Sequence, residues 1–239
     1  MITFITSSPF LEDTDRPVFS NENGFVERIA ACLPAYPRCL YICSSPDRHD
    51  LNCRFGADIF MAFANAGIPF SQYAVLDYEN AEFALELVSD SDLIVLAGGH
   101  LPTQNAFFHD IGLRQLLQGY AGVVMGISAG SMNCADIVYI QPEEPGESSP
   151  EFVRFRPGLG LTQVQILPHY QKCKDDILDG LRLFEDITYA DSMENTFFAL
   201  PDHSYVVDDG EGPVLFGEGY CLHDGILEQI SKTGDEVVL

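Results

Sequence analysis

Apolar positions along the chain follow two rhythms, short β-branched runs and helical spacings, and the two alternate through the first half. Residues 2–6 (ITFIT) form a short apolar run that predicts a strand. A polar loop with Pro9 and Pro17 follows, and Asn23 is placed to cap a helix over about 24–33, ending before Pro34. CLYIC (39–43) predicts a second strand. Residues 51–66 carry Phe55, Ile59, Phe60, Phe63 and Ala66 at helical spacing, with Gly67 where a helix C-terminus needs a positive φ. SQYAVLDY (71–78) reads as strand and AEFALELV (81–88) as helix. DLIVLAGG (92–99) is a continuous apolar run stopped by two glycines, as in a parallel strand buried on both faces. A helical stretch over 103–119, broken near Gly112, leads to another buried strand, AGVVMGI (121–127), and a short helix from about Ala129.

The remainder is less regular. Residues 141–160 are rich in Pro, Gly and Glu and predict a long loop. LTQVQIL (161–167) alternates as a strand, and 174–184 reads as helix. From 187 onward come short strands at 197–200, 204–207, 213–216 and near Tyr220–Leu222. They are separated by turn signals such as Asp208-Asp209-Gly210 and His223-Asp224-Gly225. Strands alternating with helices imply an α/β fold with a doubly wound, mostly parallel sheet, helices on both faces and a C-terminal hairpin region. No repeat or linker interrupts residues 1–239, so one domain is expected.

Ligands of such sheets sit beyond the carboxyl ends of the strands. The glycine turn Gly98-Gly99-His100 and Ser128 therefore share one sheet edge. Gly126-Ile127-Ser128-Ala129-Gly130 matches G-x-S-x-G between a buried strand and a helix, the setting in which a sharp turn exposes a nucleophilic hydroxyl. The helix N-terminus adds positive potential for a developing oxyanion. His169, in Leu167-Pro168-His169-Tyr170, follows a predicted strand and is the candidate base. His49 and His109 fall on polar loop or helix positions, and His203 and His223 among hairpins. His100 adjoins the glycine turn and is better placed to touch substrate. The acids between Ser128 and His169 are Asp136, Glu143, Glu144, Glu147 and Glu151, and position alone does not choose among them. Gly99 and Ala129 supply backbone N–H groups for an oxyanion hole.

Charge and cysteine usage narrow the classes. Twelve Lys+Arg against 36 Asp+Glu give a net charge of −24, which repels phosphate backbones and argues against a nucleic-acid partner. Seven cysteines, with no C-x-x-C pair and no zinc-like spacing, read as reduced thiols of a cytoplasmic protein. No apolar run approaches the roughly 20 residues of a membrane span, and Met1-Ile-Thr-Phe-Ile-Thr opens without a basic leader. Helices flanking the sheet leave a homodimer open.

Ala97-Gly98-Gly99, the Gly126–Ser131 elbow and Leu167-Pro168-His169-Tyr170 together resemble the serine peptidases of the dipeptidase E and cyanophycinase family, over roughly residues 92–171. The resemblance implies a class I glutamine-amidotransferase-like fold and cleavage of small peptides next to aspartate, without cofactor or metal. It matches Ser128 to the nucleophile, His169 to the base and Gly99 to the oxyanion glycine. It puts the triad acid at Glu143, with Glu144 as competitor. The family's downstream arginine, which pairs with a substrate carboxylate, has no counterpart between His169 and Arg182. Lys174 lies nearest that place and His100 replaces the usual Asn or Asp after the glycine turn. Three rival readings remain: an esterase, a small-ligand-binding or sensor module, and a cysteine glutaminase. The last needs a cysteine at the elbow, and Cys134 lies six residues beyond it.

Overall fold

A computed structural model describes residues 1–239. Its main sheet is built from β1 (Ile2–Thr6), β2 (Arg38–Ile42), β3 (Gln72–Leu76), β4 (Leu93–Leu96) and β5 (Val123–Ile127), all mutually parallel in the order β1-β5-β4-β2-β3. The helices between them are α1 (Phe25–Ala31), α2 (His49–Asn65), α3 (Ala84–Ser89), α4 (Leu101–Asp110) and α5 (Leu113–Leu116), and α6 (Ala129–Met132) follows β5. Strands β4 and β5 are buried at every position, which is why they carry unbroken apolar runs rather than alternation. Their neighbours Phe4, Leu40, Ile42 and Phe63 join them in the largest apolar core.

After α6 the chain makes β6 (Ile137–Tyr139), which pairs antiparallel with β7 (Phe155–Pro157), so a hairpin closes the long loop expected at 141–160. Strand β8 is only Ile166–Leu167; the rest of the 161–167 run makes one isolated bridge, Thr162 with Ala135, and scattered hydrogen bonds such as Phe198 N–H to Gln165 O. The helix expected over 174–184 does not form. A four-residue turn, α7 (Tyr170–Cys173), gives way to a hairpin of β9 (Ile177–Leu178) and β10 (Leu181–Arg182), then a π-helical turn at Leu183–Thr188 and α8 (Tyr189–Asp191). The cause is Asp179-Gly180, whose φ values of 52° and 84° make the tight turn that an Asp-Gly pair favours.

The C-terminal third completes two sheets. β12 (Tyr205–Asp208) adds antiparallel to β1, and β13 (Val214–Phe216) and β16 (Glu236–Val238) extend that edge to eight strands. β11 (Thr196–Ala199) pairs parallel with β8 and antiparallel with β14 (Gly219–His223), which in turn pairs with β15 (Ile226–Ser231). The fold is thus mixed α/β with a largely parallel central sheet. The β8–β11 pair matters most for the site, because both strands end toward Ser128.

Candidate active site

Ser128 leaves β5 with φ 50° and ψ −111°, a sharp turn outside the ordinary regions for a side-chain-bearing residue. The surroundings hold it there. Ser128 N–H donates to the carbonyls of Thr6 and Ser7 at 3.0 Å each, and Ser131 Oγ accepts from Thr6 N–H and donates to Thr6 O, both at 2.8 Å. The elbow glycines are needed for contact: a Cβ at Gly126 would meet the Ser131 backbone at 2.5 Å, and one at Gly130 would fall on the Leu96 carbonyl. The helix that follows is a single four-residue turn, so the Ala129 N–H itself, with no intrahelical acceptor, is the useful donor rather than a macrodipole.

His169 adopts a left-handed conformation, φ 57° and ψ 29°, immediately past β8. Its backbone N–H donates to Ser7 Oγ at 2.8 Å. This aims the ring so that Nε2 lies 2.9 Å from Ser128 Oγ and Nδ1 lies 2.7 Å from Asp202 Oδ1. Ser7 Oγ in turn donates to Asp202 Oδ1 at 3.1 Å, and the Ser7 residue is fully buried. Asp202 Oδ2 pairs with Lys172 Nζ at 2.7 Å; that ammonium also holds Glu12 at 2.6 Å. Burial of Asp202 works against its ionisation. The hydrogen bonds from His169 and Lys172, with their charges, outweigh it and hold the carboxyl well below the usual carboxylate range.

The acid on His169 is therefore Asp202, and the expectations of Glu143 and of Glu144 are corrected. Register supplies the reason. Ala199 of β11 lies opposite Leu167 of β8 in a parallel pair, so the residues just past both strands emerge side by side. Glu143 instead starts the loop after β6. It is exposed as a residue, yet its carboxyl sits within a concavity among enough protein to raise its pKa, with the His100 and His169 rings opposing that rise and Glu147 and Glu144 adding to it. The sequence does contain a signal for the alternative: Leu167-Pro168-His169 and Leu200-Pro201-Asp202 are the same device at the ends of two apolar runs. Ser7 and Lys172 carried no signal on their own.

Gly99 has φ 143°, and a Cβ there would run into the Ser44 side chain. The neighbouring Gly98 comes within 3.6 Å of Ser128 Cβ when a Cβ is built on it, so the glycine turn and the nucleophile share one edge. His100 caps α4, with Nδ1 2.7 Å from Thr103 Oγ1 and Nε2 3.7 Å from Glu147 Oε1, so it faces the acidic loop. With Glu144 and Glu147 it brings ligand-type atoms within 4.8 Å of one another; Glu147 already accepts from the Glu143 and Glu144 amides. Lys174 is exposed at the end of α7 and does not line the cavity beside His169. Cys134 is fully buried, its thiol pushed up to about 12 by burial and donating to Gly130 O, which removes it as a nucleophile.

A cavity of about 220 Å³ opens beside His169 between α6, the start of the 141–154 loop and the β9–β10 hairpin. Met132, Pro142, Pro168, Leu178 and Leu183 give it apolar walls. Loop and hairpin are tied by Asp179, which accepts from Gly146 N–H at 2.8 Å and Ser148 Oγ at 2.6 Å.

A serine elbow, an imidazole and a carboxylate stand in line at the edge of a parallel sheet, an arrangement that can support serine-type hydrolysis. The model of peptidase family S51 matches residues 26–214, and the chain belongs to that family of serine-type peptidases. Two solved structures share the fold. One is a peptidase from an acI-B1 Actinobacterium, 18% identical, covering 100% of this chain and 96% of that one with a TM-score of 0.69. The other is a putative peptidase E protein from Listeria monocytogenes EGD-e, 17% identical, covering 96% and 98% with a TM-score of 0.58. A comparison with curated proteins gives no match. No helix is long and apolar enough to cross a membrane.

Proposed function

We propose that this chain hydrolyses amide bonds of small peptides through an acyl-enzyme on Ser128. The observation that carries the reading is the continuous line Ser128 Oγ–His169 Nε2 at 2.9 Å and His169 Nδ1–Asp202 Oδ1 at 2.7 Å. His169 takes the Ser128 proton as the hydroxyl oxygen attacks the scissile carbonyl, and Asp202 fixes the tautomer and offsets the charge of the imidazolium. The oxyanion is received by the N–H groups of Gly99 and Ala129, each such donor being worth about 3–4 kcal/mol in the transition state. His169 then returns the proton to the leaving amine. A water, deprotonated by the same ring, cleaves the ester and frees Ser128.

The cavity supports a small substrate: about 220 Å³ lies below the roughly 300 Å³ at which pockets for larger organic ligands begin, and suits one residue rather than a folded segment. A binding module without chemistry has no use for an imidazole aligned between hydroxyl and carboxylate, so the geometry favours hydrolysis. Ser128→Ala should lower kcat by about a millionfold while leaving the circular dichroism spectrum intact, since the bonds that hold the elbow, from the Ser128 N–H and the Ser131 hydroxyl, do not use the Ser128 side chain. The check is amine release from a dipeptide panel. Wild-type-like turnover in that variant would overturn the mechanism.

A further inference from the structure

The polar groups of the cavity beside His169 are unequal in kind. Each of its side-chain donor atoms makes a protein hydrogen bond. His169 has both ring nitrogens committed, to Asp202 and Ser128, and the Cys173 thiol donates to Pro168 O at 3.7 Å. Burial, reinforced by the Asp176 charge, pushes that thiol up to about 12, so it stays protonated. Its acceptors are open. Gln141 is only 8% exposed and donates its amide nitrogen to Thr188 Oγ1 at 2.9 Å. The orientation is fixed, because Thr188 spends its own hydroxyl proton on Leu183 O at 2.8 Å and can only accept from Gln141. Gln141 lines the cavity, and its Oε1 has no protein donor. Glu143 and Asp176, both exposed residues, also line the space, and neither carboxyl has a protein hydrogen-bond donor.

No Lys or Arg lines the cavity. The cations near it are engaged elsewhere: Lys172 with Asp202 and Glu12, Arg182 with Asp186, Arg154 with Asp191. Lys174, exposed and outside the lining, is the exception. A small apolar-walled space whose lining includes three residues with open acceptors, two of them carboxylates, calls for a ligand that brings hydrogen-bond donors and positive charge on an alkyl stem.

Resting on the serine-hydrolase reading, we infer that this cavity selects substrates by a cationic group, an ammonium or guanidinium held by Gln141 Oε1, Glu143 and Asp176. The chemistry can be supplied by a Lys or Arg side chain or by the free amino terminus. It opposes the acidic residue that the family resemblance implies, because a substrate carboxylate entering here would meet two carboxylates and no counter-charge.

The test is equilibrium binding to the Ser128→Ala protein, by calorimetry, of Lys-Ala, norleucine-Ala, Asp-Ala and the N-acetyl forms of the first two. Peptides that carry the selected cation should bind about tenfold or more tightly than their uncharged partners. Loss on replacing Lys by norleucine assigns the side chain, and loss on acetylation assigns the amino terminus. The Glu143→Gln/Asp176→Asn double variant should erase whichever difference is seen, and single Asp176→Asn should reduce it. The inference is overturned if acetyl-norleucine-Ala binds as well as the charged peptides, if Asp-Ala binds best, if the double variant keeps the discrimination, or if none of the peptides binds. Turnover by the Ser128 enzyme separates the two readings. Charge-dependent binding without hydrolysis defeats the serine mechanism alone, and Ser128-dependent hydrolysis without charge preference defeats the cation site alone.

Discussion

Replacing Asp202 by Asn keeps the side chain's size but gives His169 Nδ1 an amide that can present a donor where an acceptor is required. On the proposed mechanism kcat should fall by about 10⁴ with the fold intact, read from steady-state rates beside an unchanged spectrum. The same substitution has a stability signature. The folded carboxyl ionises below its unfolded value, so its ionised form stabilises the folded chain above the usual carboxylate range, and that contribution is lost as pH falls through and below it. Between about pH 5 and pH 3 the wild type should therefore lose more Tm than Asp202→Asn; equal losses would show the carboxylate to be energetically idle. At this scale the sequence showed what lies within one contiguous motif. Ser128 sits in a five-residue pattern and His169 beside a proline at a strand end. Asp202 comes 33 residues after His169 and becomes its neighbour only through the pairing of β8 with β11, which no local pattern encodes. The expectation of Glu143 rested on a position carried over from resemblance, and that position faces the cavity instead.

Among the elements, the parallel half of the sheet was legible because strands buried on both faces write themselves as unbroken apolar runs. The β9–β10 hairpin was not, because the Asp179-Gly180 turn interrupts a segment whose other residues are compatible with helix. That hairpin has a testable job. Asp179, held below the usual carboxylate range by the Ser148 hydroxyl and then the Gly146 N–H, ties the hairpin to the 141–154 loop, both of which contribute residues to the cavity. Asp179→Ala should speed amide exchange and proteolytic nicking in that loop and raise KM, with Tm nearly unchanged, because the bonds are exposed. Exchange rates measured by mass spectrometry decide it; a loop exchanging as in the wild type would deny the tie any role. The elbow gives the opposite expectation. Gly130→Ala drives a methyl group into the Leu96 carbonyl at the centre of the sheet and should cost several degrees of Tm together with activity.

Across the whole molecule, the net charge of −24 makes a field that acts on any charged substrate before contact. With a cationic substrate, kcat/KM should fall as salt is raised past the range where the Debye length shrinks to about 8–10 Å, while a neutral peptide should show little change. Identical salt profiles for the two would argue against electrostatic steering. The site also has an unusual reach along the chain. Ser7, Ser128, His169 and Asp202 meet within hydrogen-bond distance, so the apparatus draws on both the first strand and the last third of the sequence. On the proposed mechanism a ribosome making this protein must therefore deliver residue 202 before Ser128 meets a base held by its carboxylate. Nascent products that end between His169 and Asp202 would carry the nucleophile and an imidazole with no carboxylate to orient it, so the order of synthesis would itself keep the unfinished site slow.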